Sequence, residues 1–472
     1  MGQQRLLIHA DTHPAVGVGH LIRCLSLAEA WAAVGGEVEL ITQRMPDAFS
    51  AAVPVGVEVT LVDDADLVDR IARSSSGPNW LVLDSYRLTP TDMEQATGAG
   101  RLAVLRDHGM AVPSTAAMVI DPNEGAGAHS YAASAPGAVV LAGSGYALLR
   151  RGFYEARHAT APTTTRGLVM VGGSPSELVT ELIAETIASL GRSVDVLGSG
   201  LDGVTLPDSV TRLTTTADPA PTMAGRPWAL VPAGSTVWEL CCLGVPAVVY
   251  AAAPNQERVG EAVADAGVAT YLGPVEDLTA GVVVEAIELL AADEVARLDM
   301  ARRGSALVDG AGASRVVAEL MAVDIELRPA QCDDAALLFE WANDPAVRAA
   351  SFSSDPIVWD DHRRWLHDRL ADPDHQLFIG EVEQEPIGQI RFDRVDCDHL
   401  RVGVSLAAAA RGRHLAAPFI AAGTRAALEH SGALGVIAEI RPENDRSAAA
   451  FTTAAYVESD SDPEVLRLVW RV

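Results

Sequence analysis

The sequence predicts an α/β chain of two doubly wound lobes followed by a smaller α+β domain. The first lobe is expected over residues 1–157, the second over 167–323 and the last domain over 324–472. Three observations carry this. Short apolar runs alternate with helical patterns from the start, the mark of parallel βαβ units with right-handed crossovers. A polar, aperiodic stretch, His158–Gly167, breaks that pattern once and reads as a linker. From Asp324 the order becomes strand, helices, then a run of strands, which is α+β grammar.

In the first lobe, Arg5–Ala10 is an apolar strand and His20–Val34 a helix with Leu21, Cys24, Leu25, Ala28, Trp31 and Ala32 on one face. Val38–Thr42, Val57–Val62, Trp80–Asp84, Leu102–Leu105 and Met118–Asp121 read as further strands. In the second lobe the strands are Leu168–Val171, Ser193–Leu197, Ala229–Val231 and Ala247–Tyr250. Two such lobes place a ligand cleft between them, at the carboxyl ends of the strands. In the last domain the helix Trp359–Leu370 precedes the strands Leu377–Glu383, Glu385–Val395 and Leu400–Leu406, with a hairpin turn at Gln384–Pro386. The helix Leu415–Glu429, the strand Val436–Ile440 and the helix Ser447–Ala454 complete it.

Composition narrows the partners. Across 472 residues the net charge is -28, so duplex nucleic acid and anionic membrane surfaces, which need a basic face, are not expected as partners. The five cysteines are odd in number and contain no C-x-x-C, which argues against a disulfide framework or a structural zinc site. The start, MGQQRLLIHAD, lacks the long apolar core of a signal peptide, so a cytoplasmic location is expected. The most apolar stretch, Trp228–Pro254, is interrupted by Glu239, glycines and prolines and reads as buried strand, turn and helix.

Gly17 and Gly19 follow the first strand and open the first helix, letting the backbone approach a ligand while the helix start offers N–H groups to an anion. His20 lies in that first turn, where the helix dipole favours a neutral ring able to act as a general base. In the second lobe, Ala233-Gly234-Ser235-Thr236 precedes a helix carrying Glu239. This is a cradle for a diphosphate, with the Glu239 carboxylate one turn in to accept from ribose hydroxyls. Asn255 and Gln256 end a strand segment facing the cleft, and Gly172-Gly173-Ser174 is a third such turn.

These segments resemble, in order, the PseG-type UDP-sugar hydrolases of pseudaminic acid biosynthesis. The resemblance rests on Asp11 with GVGHLIRCLSLAEAW, on LVLDSY containing Asp84 and Tyr86, and on GYALLRRGF, VGGSP and AGSTVWELCCLGVPAVVYAAAPNQ. It spans residues 5–320 and implies a GT-B-like pair of Rossmann-like lobes related to the MurG-type transferases, cleaving UDP with inversion and without a metal. It implies His20 as the base for water, and Tyr86 and Asn255 at the sugar. Ser235, Thr236, Glu239 and Gln256 would hold UDP, with Asp11, Gly17, Gly19, Gly173 and Gly234 in the binding loops.

In the last domain, the strand Leu400–Leu406 leads into Arg411-Gly412-Arg413-His414-Leu415-Ala416 and a helix, an arrangement suited to a pyrophosphate. This loop, with Trp341-Ala342-Asn343-Asp344 and Asn444-x-x-Ser447, resembles the amino-sugar branch of the GNAT acetyltransferases over 326–457. The resemblance implies acetyl-CoA bound at Val404, Leu406, Arg411, Gly412, Arg413, Ala416 and Asn444. His414 stands at the middle glycine of the loop pattern. Phe451 stands where many members carry a tyrosine acid, and Tyr456 is read as a packing aromatic.

Together the resemblances imply acetylation of a UDP-4-amino-sugar followed by release of UDP, alongside other enzymes of nonulosonic acid synthesis. Three alternatives stay open. The lobes resemble a MurG-like glycosyltransferase, or a hydrolase for another nonulosonic acid or spore-coat sugar; the last domain could be a non-catalytic acyl-CoA-binding module.

Overall fold

The computed structural model describes residues 5–13, 18–75, 80–98, 100–107, 109–160, 164–172, 175–198, 200–214, 218–459 and 463–471. Gly17 and Gly173 lie outside them. The chain divides into two compact units, Gln3–Ala313 and Ser314–Val472. No helix among the described residues is long and apolar enough to cross a membrane.

The first lobe holds β1 (Arg5–Ala10), β2 (Glu37–Thr42), β3 (Val57–Leu61), β4 (Trp80–Asp84), β5 (Arg101–Leu105), β6 (Met118–Asp121) and β7 (Val139–Ala142). Its helices are α1 (Gly19–Ala33), α2 (Asp47–Ser50), α3 (Leu67–Ser74), α4 (Pro90–Ala96) and α5 (Arg151–His158). All seven strands are parallel, in the order β3-β2-β1-β4-β5-β6-β7. The central strands β1, β4 and β5 are apolar almost throughout, as a sheet covered on both faces requires.

The second lobe holds β8 (Gly167–Val169), β9 (Val194–Leu197), β10 (Val210–Leu213), β11 (Ala229–Pro232), β12 (Ala247–Ala251) and β13 (Thr270–Pro274), in the order β10-β9-β8-β11-β12-β13. Its helices are α6 (Glu177–Ser189), α7 (Ala220–Met223), α8 (Thr236–Leu243), α9 (Glu257–Asp265), α10 (Ala280–Ala292) and α11 (Glu294–Leu307); α12 (Gly312–Ala322) follows. Both lobes are Rossmann-like. Helix α5 packs in the second lobe: Phe153 is buried in the same core as Val237 and Trp238, and Arg157 donates to the carbonyls of Cys242 and Val308, both at 3.1 Å. The backbone N–H of Arg151 bonds Glu29 of α1 at 3.0 Å, so α5 ties the lobes together.

The C-terminal unit contains β14 (Glu326–Pro329), β15 (His375–Val382), β16 (Glu385–Arg394), β17 (His399–Leu406), β18 (Gly435–Ile440), β19 (Val457–Glu458) and β20 (Leu466–Arg471). Its helices are α13 (Ala335–Ala342), α14 (Pro345–Ala350), α15 (Trp359–Ala371), α16 (Ala416–Ser431) and α17 (Asp445–Thr453). The sheet order is β14-β15-β16-β17-β18-β20-β19, antiparallel except for the β17–β18 pair. The hairpin turn falls on Glu383 and Gln384, both at positive φ, and Pro386 begins pairing instead of turning. This is the turn chemistry that matches strand twist in a two-residue hairpin.

Candidate functional site

In the first lobe the strand order reverses between β1 and β4, so a crevice opens at their carboxyl ends. Acidic residues gather there. Asp11 follows β1, Asp84 closes β4, Asp107 lies just past β5 and Asp121 closes β6. His20 is the second residue of α1, the helix entered from β1.

Nδ1 of His20 lies 2.5 Å from Oδ1 of Asp84. Arg23, one turn further along α1, donates to the same carboxylate from Nε at 2.5 Å and Nη2 at 2.6 Å. Its Nη1 reaches Asp107 at 3.2 Å. Tyr86 donates its hydroxyl to Asp107, and its ring meets His20 edge-on at 4.4 Å. Asn123 links Asp107 (2.6 Å) to Asp121 (2.8 Å), which Tyr131 also bonds at 2.7 Å.

Burial acts to raise the Asp84 pKa, but the Arg23 guanidinium and His20 outweigh it and hold the carboxyl well below the usual range. Burial likewise acts on Asp107, and Arg23 with Tyr86 and Asn123 outweighs it. Burial and the Asp107 charge keep the Tyr86 phenol protonated. An ionised Asp84 only accepts, so the shared proton sits on Nδ1 of His20. In the neutral ring this leaves the lone pair on Nε2, the arrangement of a general base fixed by a carboxylate. Nε2 makes no hydrogen bond among the described residues.

Asp11 is wholly buried, and its carboxylate accepts from Ser85 (2.8 Å), the His13 N–H (3.1 Å) and Arg87 (3.1 Å). These three bonds tie the end of β1 to the segment that follows β4. Arg106 is also buried, its guanidinium on the carbonyls of Ser85, Leu105 and Ala111.

The second lobe reverses its order between β8 and β11. Gly172, past β8, has φ +83, and Gly234 and Ser235 follow β11 at the start of α8. Ser235 makes no capping bond through its side chain and is exposed. Glu239 is buried, yet makes no hydrogen bond among the described residues. Burial pushes its carboxyl up to about 7, against the pull of Arg150 at the start of α5. Asn255 and Gln256 lie in a short 3-10 turn after β12, not at a strand end. Asn255 is exposed; the Gln256 carbonyl accepts from the Ala252 N–H at 2.9 Å and its amide nitrogen sits against Gly234.

In the C-terminal domain, β17 pairs with β18 only from His399 to Val402. β17 then runs on to Leu406 and β18 to Ile440, so the parallel strands part toward their carboxyl ends. Val404 and Leu406 pair on the β16 side alone. Beyond the gap, Gly412 (φ +72) and His414 (φ +56) turn the chain into α16 at Ala416. The notched strand, the left-handed turn and the helix start together suit a pyrophosphate and its pantetheine arm. Arg413 and Gly412 are exposed. Arg411 is occupied, bonding the Leu406 carbonyl at 3.0 Å and Asp344 at 2.8 Å. Asn444 caps α17 by accepting from the Ser447 N–H at 3.2 Å.

Phe451 is buried against Tyr456 at 4.9 Å, and the Tyr456 hydroxyl is buried on Thr424 at 2.6 Å. Tyr456 is therefore a packing residue. His414 adopts the left-handed conformation that a glycine would take, at a cost of about 1–2 kcal/mol for a residue with Cβ. His414→Gly is expected to change domain stability by only about 0–1 kcal/mol, since glycine's chain entropy offsets the relief. His414→Val should cost a further ~1–2 kcal/mol, read by thermal unfolding with and without CoA.

Residues 324–456 match the family model of the acetyltransferase (GNAT) domain. The C-terminal region is accordingly a GNAT acetyltransferase domain, and the chain carries an acetyltransferase unit behind two Rossmann-like lobes. Among solved structures the chain is similar to the spermidine N-acetyltransferase of Vibrio cholerae in complex with CoA and spermine, at 14% identity over 32% of this chain and 96% of that one, TM-score 0.29. It is similar to the aminoglycoside acetyltransferase AAC(6')-Ib with coenzyme A and kanamycin, at 17% identity over 31% and 94%, TM-score 0.29. It is also similar to the Campylobacter jejuni N-acetyltransferase PseH, at 14% identity over 31% and 98%, TM-score 0.26. No curated protein matches the chain.

Proposed function

We propose that the two lobes form an inverting, metal-independent UDP-sugar hydrolase and that the GNAT domain acetylates the UDP-4-amino-sugar from which the hydrolase substrate is made. The substrate of the lobes is then UDP-2,4-diacetamido-2,4,6-trideoxy-β-L-altrose, a precursor of pseudaminic acid, and the products are UDP and the free sugar. The observation that carries this reading is the His20–Asp84 pair at the first switch point. The unbonded carboxylate of Glu239 at the second supports it.

In the reaction, His20 Nε2 takes a proton from water as its oxygen bonds the anomeric carbon. The bond from that carbon to the phosphate oxygen breaks, and UDP leaves with the electron pair. Diphosphate is a good leaving group, so a second carboxylic acid is dispensable. The N–H groups at the start of α8, with the Ser235 and Thr236 hydroxyls and the Gln256 amide, stabilise the departing charge. Glu239 accepts from ribose, while Tyr86 and Asn255 line the sugar.

In the GNAT domain, acetyl-CoA supplies the acetyl group as a thioester. The chain's own contribution is to lay the donor along Val404 and Leu406, with Gly412, Arg413 and Ala416 at the pyrophosphate. Arg411 and Asn444 brace that loop and α17. Holding the amine against the donor accounts for much of such a rate enhancement. The test is mass spectrometry of the full chain with UDP-4-amino-sugar and acetyl-CoA. Free diacetamido sugar and UDP without any added acceptor are expected; UDP release that requires an acceptor alcohol would favour the glycosyltransferase alternative.

Glu239 links this reading to pH. Its folded pKa, about 7, lies above the ordinary glutamate value, so the folded state holds the proton longer than the unfolded chain. The resulting penalty is absent below about pH 4.5, grows as pH rises and is complete above 7. Glu239→Gln should therefore stabilise the unliganded protein by about 2–3 kcal/mol at pH 8 and by little at pH 5. The same change should weaken UDP binding about 10–100-fold at pH 8, as loss of a charged acceptor does. Calorimetry should find wild-type affinity rising between pH 6 and 8 and the variant's flat.

A further inference from the structure

Gln389 and Arg391 of β16 have no role in binding the acetyl donor. Gln389 and Arg391 flank Ile390, whose side chain meets Gly423 of α16. By strand alternation they face the opposite side of the sheet, the side on which α13 and α15 pack over β17 and β15. Gln389 pairs with Ser405 and Arg391 with Gly403 on β17.

Gln389 is buried. Its Nε2 donates to Ser405 Oγ at 3.3 Å, and its Oε1 has no hydrogen-bond partner. A buried amide oxygen left so costs about 1–3 kcal/mol until something donates to it. The pair lies toward the carboxyl end of β17, where that strand parts from β18.

Arg391 sits one pleat back, about 7 Å along the strand. It is half-buried and makes no hydrogen bond or ion pair with the described residues. Its guanidinium lies across Gly403, where a Cβ would come within 3.0 Å of Cζ. The charges it feels are Asp393, attractive, and Arg369, Arg401 and Arg348, repulsive. The neighbours have partners already. Asp393 bonds His375 at 2.7 Å, Arg369 faces Asp372 and Asp393 at 3.5 Å, and Arg401 faces Glu439 at 3.8 Å. Arg348 donates to the Ser353 and Asp355 carbonyls. Arg391 is thus a guanidinium without an acid of its own, inside a cationic cluster.

We infer that Gln389 and Arg391 form the acceptor subsite of the acetyltransferase domain, Gln389 with Ser405 receiving the amine and Arg391 an oxyanion of a phosphate about one pleat away. The inference rests on reading this domain as an amino-sugar N-acetyltransferase and adds which residues select the acceptor. A sugar amine with a phosphate across the ring satisfies both ends, because guanidinium pairs with phosphate in a fork. An amine that carries no anionic group leaves the Arg391 guanidinium unpaired.

Two measurements on the full chain test it. Acetylation is assayed with an amino-sugar 1-phosphate and with the same amino-sugar lacking the phosphate. The wild type should prefer the phosphorylated amine at least tenfold in KM, and in Arg391→Met the ratio should fall to about one. A preference that survives the substitution overturns the inference. Separately, the CoA-loaded chain is titrated with inorganic pyrophosphate. Wild type should show one saturable site beyond the diphosphate cradle of the second lobe, and Arg391→Met should lack that extra site while Arg391→Lys retains it in weakened form; identical isotherms overturn the inference. CoA affinity reports that the variants are folded. Were no amine acetylated while the pyrophosphate site still depended on Arg391, the acetyltransferase reading would fail and the anion site would stand.

Discussion

Asp84→Asn should lower the rate of UDP release about 10³–10⁴-fold with little change in UDP affinity. The amide oxygen or nitrogen of asparagine can still bond Nδ1 of His20, so the ring stays near its place. What is lost is the acceptor-only character of the partner, and with it the tautomer that leaves Nε2 free to take a proton. His20→Ala should produce a loss of similar size, and the double variant should be no worse than either, because the two residues act as one unit. Stopped-flow detection of UDP with the three variants reads this directly. Additive losses would mean that the two residues contribute separately and that the pair is structural.

The second large effect is on stability. Arg23 is the cation between two buried carboxylates, Asp84 and Asp107. Arg23→Met leaves both without it and should cost the N-terminal unit about 3–5 kcal/mol at pH 7. The sign of the pH dependence follows from the depressed pKa of each acid. In the wild type their contribution is present above the unfolded aspartate value, near 3.8, and is lost as pH falls through the folded values. In the variant those values rise, so the deficit should shrink toward pH 4 as the carboxyls take up protons. Amide hydrogen exchange in β4 and α1 measures this without interference from the C-terminal domain. A deficit below 1 kcal/mol, or one independent of pH, would contradict the argument.

Some of this site was legible in the sequence and some was not. His20 was legible because a small-residue turn before an amphipathic helix marks a ligand-facing helix start whatever surrounds it. Asp84 appeared in the motif but without a role, because the bond to residue 20 closes across 64 positions. Arg23 left a signal that could have been read: it is three residues from His20, hence on the same helix face. Asp107 and Asn123 gave no local sign. They matter because β5 and β6 end beside β4, and strand order is not written in any one strand. The partners of Asp11 gave no local sign either, since only the fold brings Ser85 and Arg87 to its carboxylate.

The central strands were predicted from continuous apolar runs, as was the edge strand β3, while the edge strands β7, β10 and β13 were missed. β10 has no buried residue, with Thr211 and Arg212 exposed between two intermediate positions, and β13 is intermediate at every position. Such edges lack the apolar run on which recognition of a buried parallel strand depends. In the C-terminal domain the strands from β15 to β18 were readable, yet β20 was not. At the loop before α16, His414 stands at the middle glycine of the resembled pattern, where a side chain with Cβ restricts the backbone. The chain instead takes it into the left-handed region, so the turn keeps its glycine-like path at a cost borne elsewhere.

The proposed hydrolysis requires water to attack the anomeric carbon with His20 as base. Turnover in ¹⁸O-labelled water, followed by NMR and mass spectrometry before the sugar mutarotates, tests it. The label should appear on C1 of a free sugar of inverted anomeric configuration, and UDP should carry none. Label in the β-phosphate of UDP, or a product of retained configuration, would contradict it.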